Sequence, residues 1–229
     1  MFWISEADWI ALQLTLKLAG ISTGLLVLLC LPLAWWLART QGTAKVILEA
    51  LVALPLVLPP TVIGFYLLIF LGPEGWLGDL LERIGIGHLA FTFTGMVIGS
   101  MVYSLPFAVQ PMQNAFQAMG ERPLEVAATL GASPLDRFFT VVAPLARSGF
   151  LTAAVLTFAH TLGEFGVLLM IGGSIAGETE VASIAIYNHV EAMDYTAAHG
   201  LSLFLLLTAF VLLLVVYALN RRFKVVGVA

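Results

Sequence analysis

From Leu18 to Ala38 the chain runs through about 20 residues without a charged side chain, enough as a helix to cross the roughly 30 Å hydrocarbon core of a bilayer. Backbone at that depth has no water to bond, so such a run folds as a helix that satisfies its own N–H and C=O groups. Of 229 residues 60% are hydrophobic and 10% charged, with a mean hydropathy of +1.01. Soluble domains carry about 25% charged residues. The chain therefore reads as one all-α integral membrane domain, residues 1–229, with five helices at about 9–37, 46–71, 93–117, 147–171 and 198–220 and a polar loop at 121–146. A net charge of −4, with basic residues that form no patch, carries no nucleic-acid signal. The lone Cys30 excludes an intrachain disulfide.

The N-terminal stretch Met1 to Asp8 carries Glu6 and Asp8 but no Lys or Arg, the wrong start for a cleaved secretory signal, and is expected to stay in the mature protein. Trp35 and Trp36 mark the far interface of the first helix, and Lys17 lies about two turns inside its start, where its stem reaches back to the headgroups. In the second helix Pro55, Pro59 and Pro60, followed by Thr61 and Gly64, interrupt an apolar run. Each proline removes an N–H and displaces a carbonyl, which leaves a packing kink or a break that lines a pathway. In the third helix Gln110, Asn114 and Gln117 share one face, for packing or for a wet cavity. The fourth contains His160-Thr161-Leu162-Gly163-Glu164-Phe165-Gly166, with His160 and Glu164 four apart and able to face each other. A proton relay, a metal pair or a neutralised structural pair each fits these two. Two residues are too few for a metal site, and a relay needs more titratable groups than the spans hold, so an interior polar contact near a path or gate is preferred.

The longest segment of distributed charge holds Glu121, Arg122, Glu125, Asp136 and Arg137. Pro123 suits a first helical position and Glu125 a first turn; Gly131 is expected as a left-handed cap. Ser133, Pro134 and Asp136 then open a second short helix through a capping-box variant. Two helices of about two turns are not stable alone in water and need a docking partner. Glu125, Ala127, Gly131, Val141 and Pro144, in the segment that also holds Ala132, Ser133 and Pro134, resemble the EAA loop of ABC-importer permeases, pattern E-A-A-x3-G-x9-I-x-L-P. Val126, Val141 and Ala143 depart from it conservatively. The Pro-rich second helix resembles that of oxyanion permeases, and Gly163-Glu164-Phe165-Gly166 resembles molybdate-type permeases, with a similar stretch in sulfate permeases.

The resemblance implies the type I importer fold, with the loop as a coupling helix held by an ATP-hydrolysing subunit. It implies a homodimer with its pathway on the two-fold axis, two cytosolic ATP-binding subunits that carry ATP and Mg, and an extracytoplasmic binding protein that delivers an oxyanion, most simply molybdate, with tungstate or sulfate as alternatives. Pro59, Pro60, Thr61, Gly64, Gln110, Asn114, Gly163, Glu164 and Gly166 are the pathway or gate candidates. No catalytic residue, metal or bound cofactor is expected, and no G-x4-G-K-[ST] pattern is present for ATP. Separately, Arg39, Lys45, Arg122, Arg137, Arg147, Arg221, Arg222 and Lys224 fall on one side if the five helices alternate. The positive-inside rule makes that side cytoplasmic, with the N-terminus outside and the C-terminus inside a bacterial inner membrane. An ion-coupled secondary transporter, through Lys17, His160 and Glu164, and a membrane-embedded hydrolase built on His160 are the alternatives from other classes.

Overall fold

The computed structural model describes residues 4–222. Lys224 of the basic set and Met1 to Trp3 of the N-terminal stretch lie outside them. The described chain is helical throughout its ordered elements: α1 (Glu6–Arg39), α2 (Thr43–Ala53), α3 (Pro60–Leu71), α4 (Trp76–Arg83), α5 (Phe93–Met119), α6 (Arg122–Thr129), α7 (Pro134–Arg137), α8 (Ala143–Leu145), α9 (Arg147–Leu162), α10 (Gly166–Gly172), α11 (Ala182–Glu191) and α12 (Tyr195–Arg222).

Local chemistry sets the ends. Ser5 and Asp8 close a full capping box on α1, each side chain bonded to the other's backbone N–H. At the far end Arg39 lies in the last turn and stacks on Trp35, 3.8 Å from the ring centroid. Among the described residues four segments are long and apolar enough to span: Glu6–Arg39, Pro60–Arg83, Phe93–Met119 and Tyr195–Val215. A fifth arises where Pro134–Leu145 and Arg147–Leu162 join at a bend of 69°.

Several sequence expectations change. The helix expected at 46–71 is two helices, α2 and α3, separated by a 3-10 turn at Leu54–Leu56 and by Val57 to Pro59. Pro60 occupies the first turn of α3, where no N–H is needed, so the prolines end one helix and start another and do not kink a continuous one. Because α2 is a separate short element, its Glu49 does not have to cross hydrocarbon: it pairs with Lys45 at 3.7 Å and accepts 2.6 Å from Gln113 Nε2 of α5. The loop after α3 contains α4, braced by Arg83 on Asp79 at 2.7 Å. The helix expected at 147–171 breaks at Gly163 to Phe165 into α9 and α10. The last helix begins at Tyr195, not 198, because the Asp194 carboxylate caps it by accepting from Ala197 N–H.

α1 packs along α5 and α9; α10 lies against α3 and α5, and α11 against α12. One apolar core, around Leu26, Ala34, Val109, Met112, Phe116 and Val142, sits toward the loop at 121–146. A second, around Leu18, Leu71, Met96, Leu168, Ile171 and Ile184, sits toward the opposite end. There α11 is tied to α1 by Thr15 Oγ1, which accepts from Ala182 N–H at 2.8 Å, and by His189 Nε2 on Asp8 at 2.7 Å. Lys17, exposed on α1, lies over the Phe93 ring at 4.8 Å.

Candidate functional site: a charged loop and two broken helices

α6 ends in a Schellman motif. Gly131 has φ +81°, its N–H bonds to Ala128 C=O, and Ala132 N–H bonds to Ala127 C=O, both at 3.0 Å. The positive φ turns the chain sharply into Ser133, whose hydroxyl accepts from Asp136 N–H at 3.2 Å and opens α7 behind Pro134. The second helix of the loop is longer than two turns. α7 continues into a π-turn over Phe138–Val142, then α8. Pro144 has no N–H to give to Thr140 C=O, and the wider turn before it, with Ala143 N–H reaching Phe138 C=O, accommodates that loss.

The two faces of this segment differ. Leu124 and Ala127, three apart on α6, are buried against the molecule. Glu125 is exposed, and with it Val126 (59% exposed), Leu130 (83%), Leu135 (74%) and Phe139 (67%). Four large apolar side chains thus lie open on the most charged stretch of the chain, the arrangement of a docking surface. Pro144, at the far end, is also exposed.

At the broken helices the structure brings four of the pathway candidates together. A Cβ on Gly64 would lie 2.7 Å from Met170 Cβ, and one on Gly166 would lie 2.9 Å from Pro60 Cβ. α3 and α10 therefore meet backbone to backbone at Pro60, Thr61, Gly64 and Gly166, and the glycines are needed for contact. Pro59 is the cap residue just before this crossing. Gly163 caps α9 and is exposed, and Glu164 beside it is 3% exposed, with neither carboxyl oxygen bonded among the described residues. Its backbone carbonyl accepts 2.7 Å from Ser183 Oγ, which anchors the break to α11.

His160 and Glu164 do not pair as their spacing predicts, because the helix ends between them. His160 Nδ1 instead meets Ser104 Oγ at 2.9 Å, with its ring stacked on Phe107 at 4.2 Å. Thr161 Oγ1 bonds Ser100 Oγ at 3.1 Å, which extends this into a buried polar seam between α5 and α9. Ser100 and Ser104 are functional candidates that sequence reasoning missed; their four-residue spacing on one helix was the available signal. Gln110, Asn114 and Gln117 are all exposed on one face of α5, away from this seam, while Gln113 between them is the buried one. No group of three or more His, Cys, Asp or Glu side chains among the described residues is placed to hold a metal.

Residues 30–225 match the family described as binding-protein-dependent transport system inner membrane component. The chain is 58% identical over 221 residues to the molybdenum transport system permease protein ModB of Azotobacter vinelandii, covering 96% of this chain and 97% of the relative. It is 34% identical over 199 residues to the sulfate transport system permease protein CysT of Salmonella typhimurium, covering 86% and 72%. In fold it is similar to a bacterial ABC transporter involved in import of the acidic polysaccharide alginate, with a TM-score of 0.76 at 19% identity over 96% of this chain and 81% of that one.

Proposed function

The chain belongs to the binding-protein-dependent transport system inner membrane component family, and on that premise we propose that it is the permease subunit that passes molybdate across the inner membrane in an ATP-driven importer. Members of the family are transport components and not hydrolases, so the chemistry that drives transport belongs to a partner. In this reading two cytosolic subunits bind ATP and Mg and dock on the α6–α8 segment, through Glu125, Gly131, Ala132, Ser133, Pro134 and Pro144, while the buried Ala127 seats α6 on the membrane helices beneath. An extracytoplasmic binding protein delivers the anion to the opposite face. The loop side is cytoplasmic, and the N-terminus is outside.

The observation that carries the reading is the loop surface, where Val126, Leu130, Leu135 and Phe139 stand exposed around an acidic first turn. Apolar area of that kind outside the membrane is stable only when a partner covers it. Its shape is fixed by the Schellman turn, which makes it a rigid part for a groove to grip.

A homodimer supplies the pathway. Gln110, Asn114 and Gln117 are exposed along a helix that otherwise faces lipid or protein, and a water-filled path between two copies satisfies them. In this reading the gate is formed by the α3–α10 crossing at Pro60, Thr61, Gly64 and Gly166 and by the helix break at Gly163 and Glu164. The neutral amides of Gln110, Asn114 and Gln117 fit a passage that must release what it admits. The substrate follows the relatives: 58% identity to a molybdenum permease against 34% to a sulfate permease. The test is to purify the complex with its ATPase subunits and measure hydrolysis with binding protein loaded with molybdate, tungstate or sulfate. Stimulation by the molybdate-loaded form is expected; stimulation by the sulfate-loaded form alone would reassign the substrate, and none by any would remove the transport role.

A further inference from the structure

Where α1 ends beneath α6 and α7, a cavity of about 290 Å³ is lined by Trp35, Arg39, Leu124, Arg137, Phe138 and Val142. Two guanidinium groups reach it and no carboxylate does. The four salt bridges among the described residues use neither Arg39 nor Arg137. Arg137 Nε is buried and has no hydrogen-bond partner, a costly state for a charged donor unless an acceptor is supplied from outside the chain. Arg39 is held in place by its stack on Trp35, whose other edge packs on Phe116 with ring centroids 5.1 Å apart. Like charges converge on a small, partly apolar pocket that is already formed.

We propose that this pocket binds a phosphate group, presented either by the headgroup of an anionic lipid or as free inorganic phosphate, held between Arg39 and Arg137. Guanidinium forks match the oxygens of a phosphate and keep their charge at every relevant pH. The pocket lies level with Trp35 and Trp36, a pair placed as interface tryptophans are, which puts it at headgroup depth. A bound phosphate cancels the repulsion between the two arginines and satisfies the buried Nε. It also ties the end of the first span to the end of α7, so the site sits where it would hold the α6–α8 segment against the membrane helices. Asp136, the nearest acid in sequence, is exposed on α7 and leaves the cavity to the arginines.

The experiment uses the purified full chain in a neutral maltoside detergent, titrated separately with short-chain phosphatidylglycerol and with inorganic phosphate while the thermal midpoint is followed. Binding needs neither ATPase subunit nor transported anion, so the outcome is independent of the transport reading. A saturable rise in the wild-type midpoint is expected, with the apparent affinity falling at least ~10-fold in R39Q/R137Q and unchanged in the control R83Q. A rise with the lipid alone assigns a headgroup; a rise with phosphate as well, or with phosphate alone, assigns a site open to the free ion. If the double variant does not fold, R137Q alone and the charge-preserving R137K replace it, with loss in the first and a smaller loss in the second, which keeps the charge but not the fork. No rise in the wild type with either probe, or an equal rise in the arginine variants, overturns the proposal.

Discussion

A side chain at position 131 would meet nothing within 4 Å, so the cost of Gly131→Val comes wholly from a backbone held at φ +81°. That conformation costs a β-branched residue about 1–2 kcal/mol or more. The variant is expected to insert normally and to lose the ATPase subunits on co-purification, while Gly131→Asn, which tolerates left-handed backbone, keeps most of the complex. Equal recovery of the subunits in both variants would mean that the turn is not what the partner reads. Glu125 is exposed on α6, and Glu125→Lys should leave the thermal midpoint unchanged and weaken the same complex by charge reversal. Gly149 presents the opposite case. A Cβ there collides with Ala115 Cβ and lies 2.8 Å from Pro111 C=O, so Gly149→Val forces α5 and α9 apart. Overpacking of this kind costs about 1–3 kcal/mol, and a lowered midpoint with reduced membrane yield should follow; a wild-type midpoint would mean that α5 moves aside freely. The conformation of Gly131 was readable from its neighbours in sequence, whereas the need for Gly64, Gly149 and Gly166 was not, because what crowds each lies on another helix.

Prolines delimit the elements. Pro59 and Pro60 bar the residue before each from the helical region, and Pro59 stands extended at ψ 136° while Val57 is still helical. Replacing both by Ala removes that bar and lets α2 propagate toward α3, which would pull Pro60's position away from Gly166 across the α3–α10 crossing. Uptake by the P59A/P60A variant is expected to fall while its abundance in the membrane stays near wild type; full uptake would reduce the prolines to local packing. Pro144 acts differently, in that its missing N–H sits at the end of a π-turn and the helix continues to the 69° bend at α9. Proline positions told where chain geometry changes, but not whether each change is a kink, a stop or a wider turn. That choice depends on which carbonyls find other donors.

Across the whole molecule, Arg39, Lys45, Arg122, Arg137 and Arg147 fall with the loop at one end and the α11 segment lies at the other. With the buried Cys30 replaced by Ser, Ser174→Cys is expected to react with an impermeant thiol reagent added to intact cells, and Ser133→Cys only after the membrane is opened; both positions are exposed. Labelling of the Ser133 position in intact cells would invert the proposed topology. Long uncharged runs by themselves determined that this is a helical membrane protein, because burying peptide groups in hydrocarbon leaves almost no other backbone. Local chemistry likewise determined the two starts, Pro123 in the uncapped first turn of α6 and Ser133 as the cap before Pro134, whose bond closes within three residues. Only the tertiary structure decided that Glu49 serves a short helix and Gln113, that His160 turns to Ser104 and not to Glu164, and that Arg39 and Arg137 share one cavity. In each case the partner lies on a different helix, or a helix break intervenes, and spacing along the chain carries no information about which distant helix arrives to supply it.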